Sequence, residues 1–455
     1  MIFGVISFPG TNCETESIRA LEKAGLKTKL ILWNEPLASL KNCAGFLLPG
    51  GFSYEDRSRS GVIAANDHII DYLRKEAQQG KPILGICNGA QILVESGLVT
   101  DSKTAQISLT INKRIKNNNV LGTGFYHSWF YLKNTASPKK TPFNSFSKLI
   151  RMPLAHGEGR FVIPDNLLLE MEKNDQIIFK YCDHNGQINK NYPINPNSSV
   201  QNIAAISNKQ GNVVAIMPHP ERGGFDSEMF FTGIADWIQK QNKKTVTVSE
   251  KIESPQFQIT AKDSNFNLEF FIEKIITDNE EETVQATLSR QLQKNIKIKR
   301  VTYFSLKICL SNNKSKKQAT SRDVAYNNDI IRRHHEKSPT SNDFKNIAQK
   351  IIETEEIANV NKEKIYVKYE NKIYLFQKNA PWQLIKNFYD QSLVYISYHT
   401  DILAQTKLTK LIHENLPIAS MQSSQAWQMD LAEQTAILNT GILFNPVSMF
   451  ATKYK

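Results

Sequence analysis

The chain has 455 residues, room for two or three domains and too many for one small module. Its 40% apolar and 22% charged composition is that of a globular protein and excludes wholesale disorder. The formal charge of +12 is unevenly placed: residues 1–240 carry 26 basic against 21 acidic side chains, the rest 30 against 23, and residues 294–337 alone hold 12 against three. That last stretch is rich in Asn and Ser and poor in aromatics, so it reads as a solvated linker and nucleic acid is not expected as a partner. No long uninterrupted apolar window and no basic start with a small-residue cleavage site is found, so neither a membrane span nor secretion is expected. Cys13, Cys43, Cys87, Cys182 and Cys309 are scattered without CxxC pairs, which argues against a disulfide framework or structural zinc and fits a reducing cytoplasm.

Over the first 100 residues short apolar runs alternate with helical patterns: Ile2–Phe8, Glu14–Ala24, Lys29–Trp33, Gly45–Leu48, Val62–Glu76 and Pro82–Ile86. That order predicts an α/β domain, a parallel sheet flanked by helices. Runs such as Phe46-Leu47-Leu48 suit strands buried on both faces. Val213–Met217 reads as a further strand, followed by Phe230, Ile234, Trp237 and Ile238 at helical spacing. The domain is predicted to end near residue 240, with a linker over 241–262. Beyond it the texture is α+β, with strand-like runs Val301–Ile308 and Ile365–Tyr369. The expected parts are a segment at 263–312, a basic linker at 313–343 and a region at 344–455. Laid without gaps, Thr283–Lys307 matches Met429–Lys453 at Ala286/Ala432, Leu292/Leu438, Ile296/Ile442, Val301/Val447, Phe304/Phe450 and Lys307/Lys453. Both copies read as helix then strand, which suggests two related units side by side.

The chemistry lies in the first half. Pro82–Leu93 reads as strand, then Gly85-Ile86-Cys87-Asn88-Gly89, then helix: a nucleophile elbow. A strained turn exposing one side chain needs small neighbours on both sides, and a helix N-terminus favours the thiolate of Cys87. A thiol nucleophile needs a base, and the base an orienting group. In Pro218-His219-Pro220-Glu221-Arg222 the prolines hold His219 in extended backbone just past a strand, with Glu221 two residues on and able to bond its ring. His334 and His335 lie in the basic linker and read as surface residues. The tetrahedral intermediate of attack on a carbonyl needs aligned donors. Gly50-Gly51, at the end of a strand, can turn backbone N–H groups toward a ligand, and the Asn88 N–H is the second donor. Tyr54–Gly61 reads as an active-site loop whose Glu55, Asp56, Arg57 and Arg59 contact substrate or another domain.

These motifs resemble the class I (triad) glutamine amidotransferases, whose fold is flavodoxin-like. Phe8-Pro9-Gly10-Thr11-Asn12-Cys13, Pro49-Gly50-Gly51-Phe52-Ser53-Tyr54 and Ala155-His156-Gly157-Glu158-Gly159-Arg160 are similar to the PurQ family of glutaminase subunits of phosphoribosylformylglycinamidine synthase, over about residues 1–240. The resemblance implies glutamine hydrolysis by Cys87, His219 and Glu221. It implies oxyanion and substrate contacts from Gly50, Gly51, Phe52, Asn88, Gln91, His156 and Glu158, with a structural loop around Gly157 and Gly159 as the other reading of the last two. Ammonia would pass to a PurL-type synthetase subunit carrying ATP and magnesium; this chain itself is expected to hold no cofactor and no metal. The segment at 263–312 faintly resembles PurS, an adaptor that works as a dimer, and 344–455 would be its second copy. Two departures stand out: Ala90 replaces an expected aromatic residue, and residues 103–148 match poorly. The competing readings are a stand-alone cysteine amidohydrolase on the same fold and an assembly or nucleic-acid-binding protein with a vestigial glutaminase.

Overall fold

The structure is a computed structural model, and it describes residues 1–103, 105–146, 149–241, 259–261, 266–309, 339–388, 392–399 and 401–453. Most of the two expected linkers, and His334 and His335 with them, lie outside the described residues. The chain forms two compact units, and their boundaries differ from the contiguous blocks read from the sequence. The first takes in Met1–Phe257, Thr283–Ile296 and Thr435–Met449; the second takes in Gln258–Glu282, Lys297–Gln434 and Phe450–Lys455. Two pieces of the tail therefore belong to the first unit.

The first unit is built on nine strands: β1 (Ile2–Ser7), β2 (Lys27–Leu32), β3 (Cys43–Leu48), β4 (Ile83–Ile86), β8 (Tyr126–Asn134), β9 (Ile150–His156), β11 (Ile177–Cys182), β12 (Ile203–Ser207) and β13 (Val213–Ile216). Their order is β2-β1-β3-β4-β13-β12-β11-β8-β9. The expected parallel sheet is present in β2, β1, β3, β4 and β13, and four antiparallel strands extend it into a mixed sheet. Every side chain of β4 and β13 is buried, as unbroken apolar runs between two helical layers require. Helices α1 (Glu14–Lys23), α2 (Val62–Ala65), α3 (His68–Gln78), α4 (Asn88–Glu95), α5 (Asp165–Lys173), α6 (Phe225–Phe231) and α7 (Gly233–Gln241) flank it. The single helix read over Val62–Glu76 is broken, because the Asp67 carboxylate accepts from the Ile69 N–H at 3.2 Å and caps a new start. The poorly matching residues 103–148 supply β8, a hairpin of β6 (Lys113–Lys116) with β7 (Asn119–Thr123), and β5 (Ser108–Ile111), which pairs with β10 (Glu158–Val162). Ala90 is fully buried under the sheet.

The second unit is one sheet ordered β14-β22-β20-β21-β16-β15-β17-β18-β19. Here β14 is Ile259–Ala261, β15 Leu268–Lys274, β16 Ile298–Ile308, β17 Glu363–Tyr369, β18 Lys372–Leu375, β19 Gln383–Ile385, β20 Leu393–Tyr398, β21 Ile418–Met429 and β22 Met449–Lys453. Along the chain these strands are connected by α8 (Asn279–Leu292), α9 (Ser341–Glu353), α10 (Ile402–His413) and α11 (Gln434–Asn439); α9 and α10 belong to this unit, whereas α8 from Thr283 on and α11 from Thr435 on belong to the first. The chain runs β15-α8-β16-α9-β17 and then β20-α10-β21-α11-β22. From the centre outward each copy places its second, first and third strands in that order. The central strands pair antiparallel along their length, Ile298 opposite Met429 and Leu306 opposite Met421, so the two copies meet as partners about a local two-fold. The duplication expected from sequence is there in a different register. The helix and strand within Thr283–Lys307 correspond to α10-β21, whereas the gapless overlay had placed them on α11-β22. Alternation along β15 and β16 puts Leu268, Phe270, Phe304 and Leu306 on one face with Phe344 and Ile351 of α9, while Phe271, Tyr303 and Tyr395 pack on the other.

Candidate active site

Parallel strands deliver their C-terminal ends to one edge of a sheet. In the first unit β1, β3, β4 and β13 are consecutive neighbours, and each continues into one of the sequence motifs: Phe8–Cys13, Pro49–Phe52, Cys87 and Pro218–Glu221. The sheet thus assembles what the sequence scatters over 200 positions.

Cys87 has φ 52° and ψ −105°, a conformation that non-glycine residues adopt only where the surroundings enforce it. Its N–H donates to the Ile216 carbonyl at 2.8 Å. A Cβ on Gly85 would lie 2.4 Å from the Gly89 oxygen, and one on Gly89 would lie 1.9 Å from the Leu48 oxygen. Both small residues of the elbow are therefore sterically required. A Cβ on Gly50 would meet His219 Cε1 at 2.9 Å, Cys13 Sγ at 3.0 Å and Cys87 Cβ at 3.5 Å, so the imidazole and both thiols gather around its bare face.

His219 is fixed by its N–H to the Pro153 carbonyl, 2.8 Å, and by Nδ1 to Glu221 Oε1, 2.6 Å. Both side chains are buried, and Nε2 has no hydrogen-bond partner among the described residues. Burial works against a charged ring here, yet the Glu221 carboxylate and the Cys87 thiol outweigh it and hold His219 well above the ordinary imidazole range. Cys13, His219 and Glu221 present ligand atoms within 4.8 Å of one another. With Nδ1 engaged by the carboxylate, the group has the form of a catalytic pair beside a second thiol, which Arg222 contacts at 3.1 Å.

The cavity at this edge measures about 300 Å³, and Cys87, His219, Gly51, Phe52, Asp56 and Glu158 are among its lining residues. Gly51, at φ 148°, passes so close to Thr11 and Asn12 that a Cβ would fall 2.7 Å from their backbone. The Gly50 carbonyl accepts from the N–H groups of Asn12 and Cys13, and the Phe52 N–H donates to Gly10. Phe52 thus offers the cavity its half-exposed ring and no backbone donor. Asn88 locks the approach: its Oδ1 accepts from the Ser53 N–H at 3.0 Å, and its Nδ2 donates to Asp56 and Gln91. Gln91 in turn donates to the Glu158 carbonyl, so its side chain positions the cavity wall.

His156 lines the cavity, its buried Nε2 without a hydrogen-bond partner among the described residues, and the rest of the ring is fixed by the fold. Asn112 Nδ2 bonds its ring and its carbonyl, at 3.1 and 2.6 Å, and a Cβ on Gly159 would collide with the imidazole at 2.0 Å. Burial, and then the charge on His219, push His156 down to about 3, so it stays neutral. Burial raises Glu158 against the opposing pull of Ser60 and Arg59. Asp56 is raised to about 7 by burial and by Glu158. Cys13, Ser60, Asn112 and Arg222 escaped the sequence reading as site residues. Cys13 and Arg222 sit inside motifs already singled out and Ser60 inside the Tyr54–Gly61 loop, whereas Asn112 carries no local signal.

Residues 3–252 match the family of CobB/CobQ-like glutamine amidotransferase domains. Phosphoribosylformylglycinamidine synthase subunit PurQ of Methanothrix thermoacetophila is 42% identical over 229 residues, 50% of this chain and 87% of that protein. The subunit of the same name from Pyrococcus furiosus is 38% identical over 246 residues, 52% of this chain and 98% of its own. A solved structure, PurLQS from Thermotoga maritima, is 33% identical, covering 52% of this chain and 98% of that one with a TM-score of 0.41. No helix among the described residues is long and apolar enough to cross a membrane.

Proposed function

The chain belongs to the glutamine amidotransferase family and, within it, to the PurQ subunits of phosphoribosylformylglycinamidine synthase, and from that premise we propose that Cys87 is its nucleophile, His219 its proton shuttle and Glu221 the group that orients the shuttle. The protein is the glutaminase component of that synthase in purine biosynthesis. It hydrolyses glutamine to glutamate and ammonia, and the ammonia serves the ATP-dependent conversion of formylglycinamide ribonucleotide to its amidine.

The observation that supports the assignment is the 2.6 Å bond from His219 to Glu221, which leaves Nε2 for the thiol side of the cavity. Cys87, whose proton Nε2 holds, attacks the side-chain amide carbon through Sγ. Negative charge collects on the amide oxygen, and the N–H groups of Gly51 and Asn88 are the donors assigned to it. Collapse breaks the carbon–nitrogen bond, His219 returns the proton to nitrogen, and ammonia leaves. Water, deprotonated by His219, then opens the thioester to glutamate. Cys87→Ala should abolish glutamine hydrolysis, while the assembled synthase still uses added ammonia. Glutamine-dependent turnover near the parent rate in that variant would sink the assignment.

For the tail we propose a built-in PurS-type adaptor that holds a PurL-type, ATP- and magnesium-binding synthetase subunit. The support is the two-fold pairing of two βαβαβ copies across β16 and β21, a tethered dimer within one chain. Cutting after Lys243 should abolish co-elution with the synthetase subunit on size exclusion. Undiminished assembly by the truncated chain would remove the adaptor reading.

A further inference from the structure

The loop from Tyr54 to Gly61 is held in a conformation it would not keep alone. Tyr54, Glu55, Asp56 and Ser58 have φ between 52° and 64°, the left-handed region that costs non-glycine residues free energy. On its inner side the loop is tied to the site: Asp56 to Asn88 at 3.2 Å, and Ser60 against Glu158. Its outer side has other partners. Arg57 donates to the Thr283 hydroxyl. Ser58 Oγ donates to the Ile442 carbonyl at 2.7 Å, and Arg59 donates to the carbonyls of Ile442, 3.1 Å, and Gly441, 2.8 Å. These four bonds reach the two tail pieces that fold with the first unit.

Arg59 is the centre of the arrangement. Its guanidinium pairs with Glu95 at 2.7 Å, both side chains being about 5% exposed or less. Glu95 also accepts from Asn445, which donates to the Ile107 carbonyl at 3.0 Å. A buried guanidinium needs its acceptors, and two of them are tail carbonyls. Gly441, at φ 71°, gives the tail the turn that aims them.

We propose that Thr435–Met449 is an internal activator: by clamping Arg59 it holds the loop so that Asp56 and Ser60 stand at the cavity wall in the geometry glutamine hydrolysis needs. Arg59 is a positioning residue that never touches the substrate. The proposal rests on the glutaminase reading above and adds that the tail sets the rate at the thiol.

The test uses the full-length chain. Gly441→Pro cannot adopt a positive φ and displaces the two carbonyls from the tail side, and Arg59→Met removes the donors from the loop side. Each should lower kcat for glutamine hydrolysis about 10- to 100-fold with little change in KM. Ammonia-dependent synthesis in the assembled complex should be unchanged, which a general folding defect would not allow. Because both act through one contact, the double variant should be no slower than the slower single. Multiplicative losses, or parent rates in both singles, overturn the clamp. Should either change disturb folding, Ser58→Ala removes the Oγ that donates to the Ile442 carbonyl and should slow kcat about threefold; no slowing there counts equally against the proposal. If Cys87→Ala stays active, the glutaminase reading fails instead, whatever these variants do.

Discussion

The two large sheets among the described residues are both nine strands wide, yet only one of them gathers chemistry. In the first, β1, β3, β4 and β13 run in parallel, so four consecutive strand ends open on one edge and bring Cys13, Gly50, Cys87 and His219 together. In the second, neighbouring strands alternate in direction around the β16–β21 pair, and their ends are dealt to opposite edges. An antiparallel sheet offers faces and a self-complementary centre, and these suit assembly. Strand direction thus separates a site from a scaffold at equal size.

The sharpest way to break the comparison is at the shared edge of the first sheet. His219→Ala should cost glutamine turnover by at least about 10⁴-fold, because thiol activation and amine protonation fail together. Glu221→Gln should cost less, about 10²-fold, since the amide retains part of the ring's orientation. A single-turnover assay with labelled glutamine checks both, and equal losses would mean that Glu221 does more than orient.

Next come two packing changes matched across the sheets. Gly89→Ala drives a methyl toward the Leu48 carbonyl, where 1.9 Å is available, and should cost the first unit about 1–3 kcal/mol along with most of its activity. Phe304→Ala empties a buried site on the central strand of the second sheet and should cost about 3–5 kcal/mol. Below its melting temperature that variant should hydrolyse glutamine at the parent rate. Calorimetry locates the loss in each case, and a collapse of activity in folded Phe304→Ala would mean that the scaffold also shapes the site.

How much of this the sequence made legible follows from which forces are local. The elbow was readable because Gly85 and Gly89 must be small for steric reasons within five residues. His219 and Glu221 were readable because prolines fix the backbone between them. Asn112 was not, since only the packed fold brings it against His156. The tail's duplication was suggested by six identities laid in a register that the fold does not keep. The α8-β16 and α11-β22 segments share a helix-then-strand pattern, and strand order alone shows that α8-β16 answers to α10-β21. Of the Arg59 clamp only the loop side was legible, because its tail acceptors are backbone carbonyls, which any residue supplies.

The smallest expected effect concerns the loop itself. Asp56 titrates near 7 in the folded chain because burial and the Glu158 carboxylate disfavour its charge, against an ordinary value of about 4 once unfolded. Between those limits the folded chain holds a proton that the unfolded chain has released. Stability should therefore decline as pH rises from about 4 to about 7 and level off above. Asp56→Asn keeps an oxygen to accept from Asn88 and removes the titration. Urea midpoints at pH 5, 6 and 8 should fall less steeply in the variant than in the parent, with the variant the more stable of the two at pH 8. Parallel pH profiles would show that the carboxyl is already ionised in the folded loop, and that solvent reaches this cavity wall more freely than its packing implies.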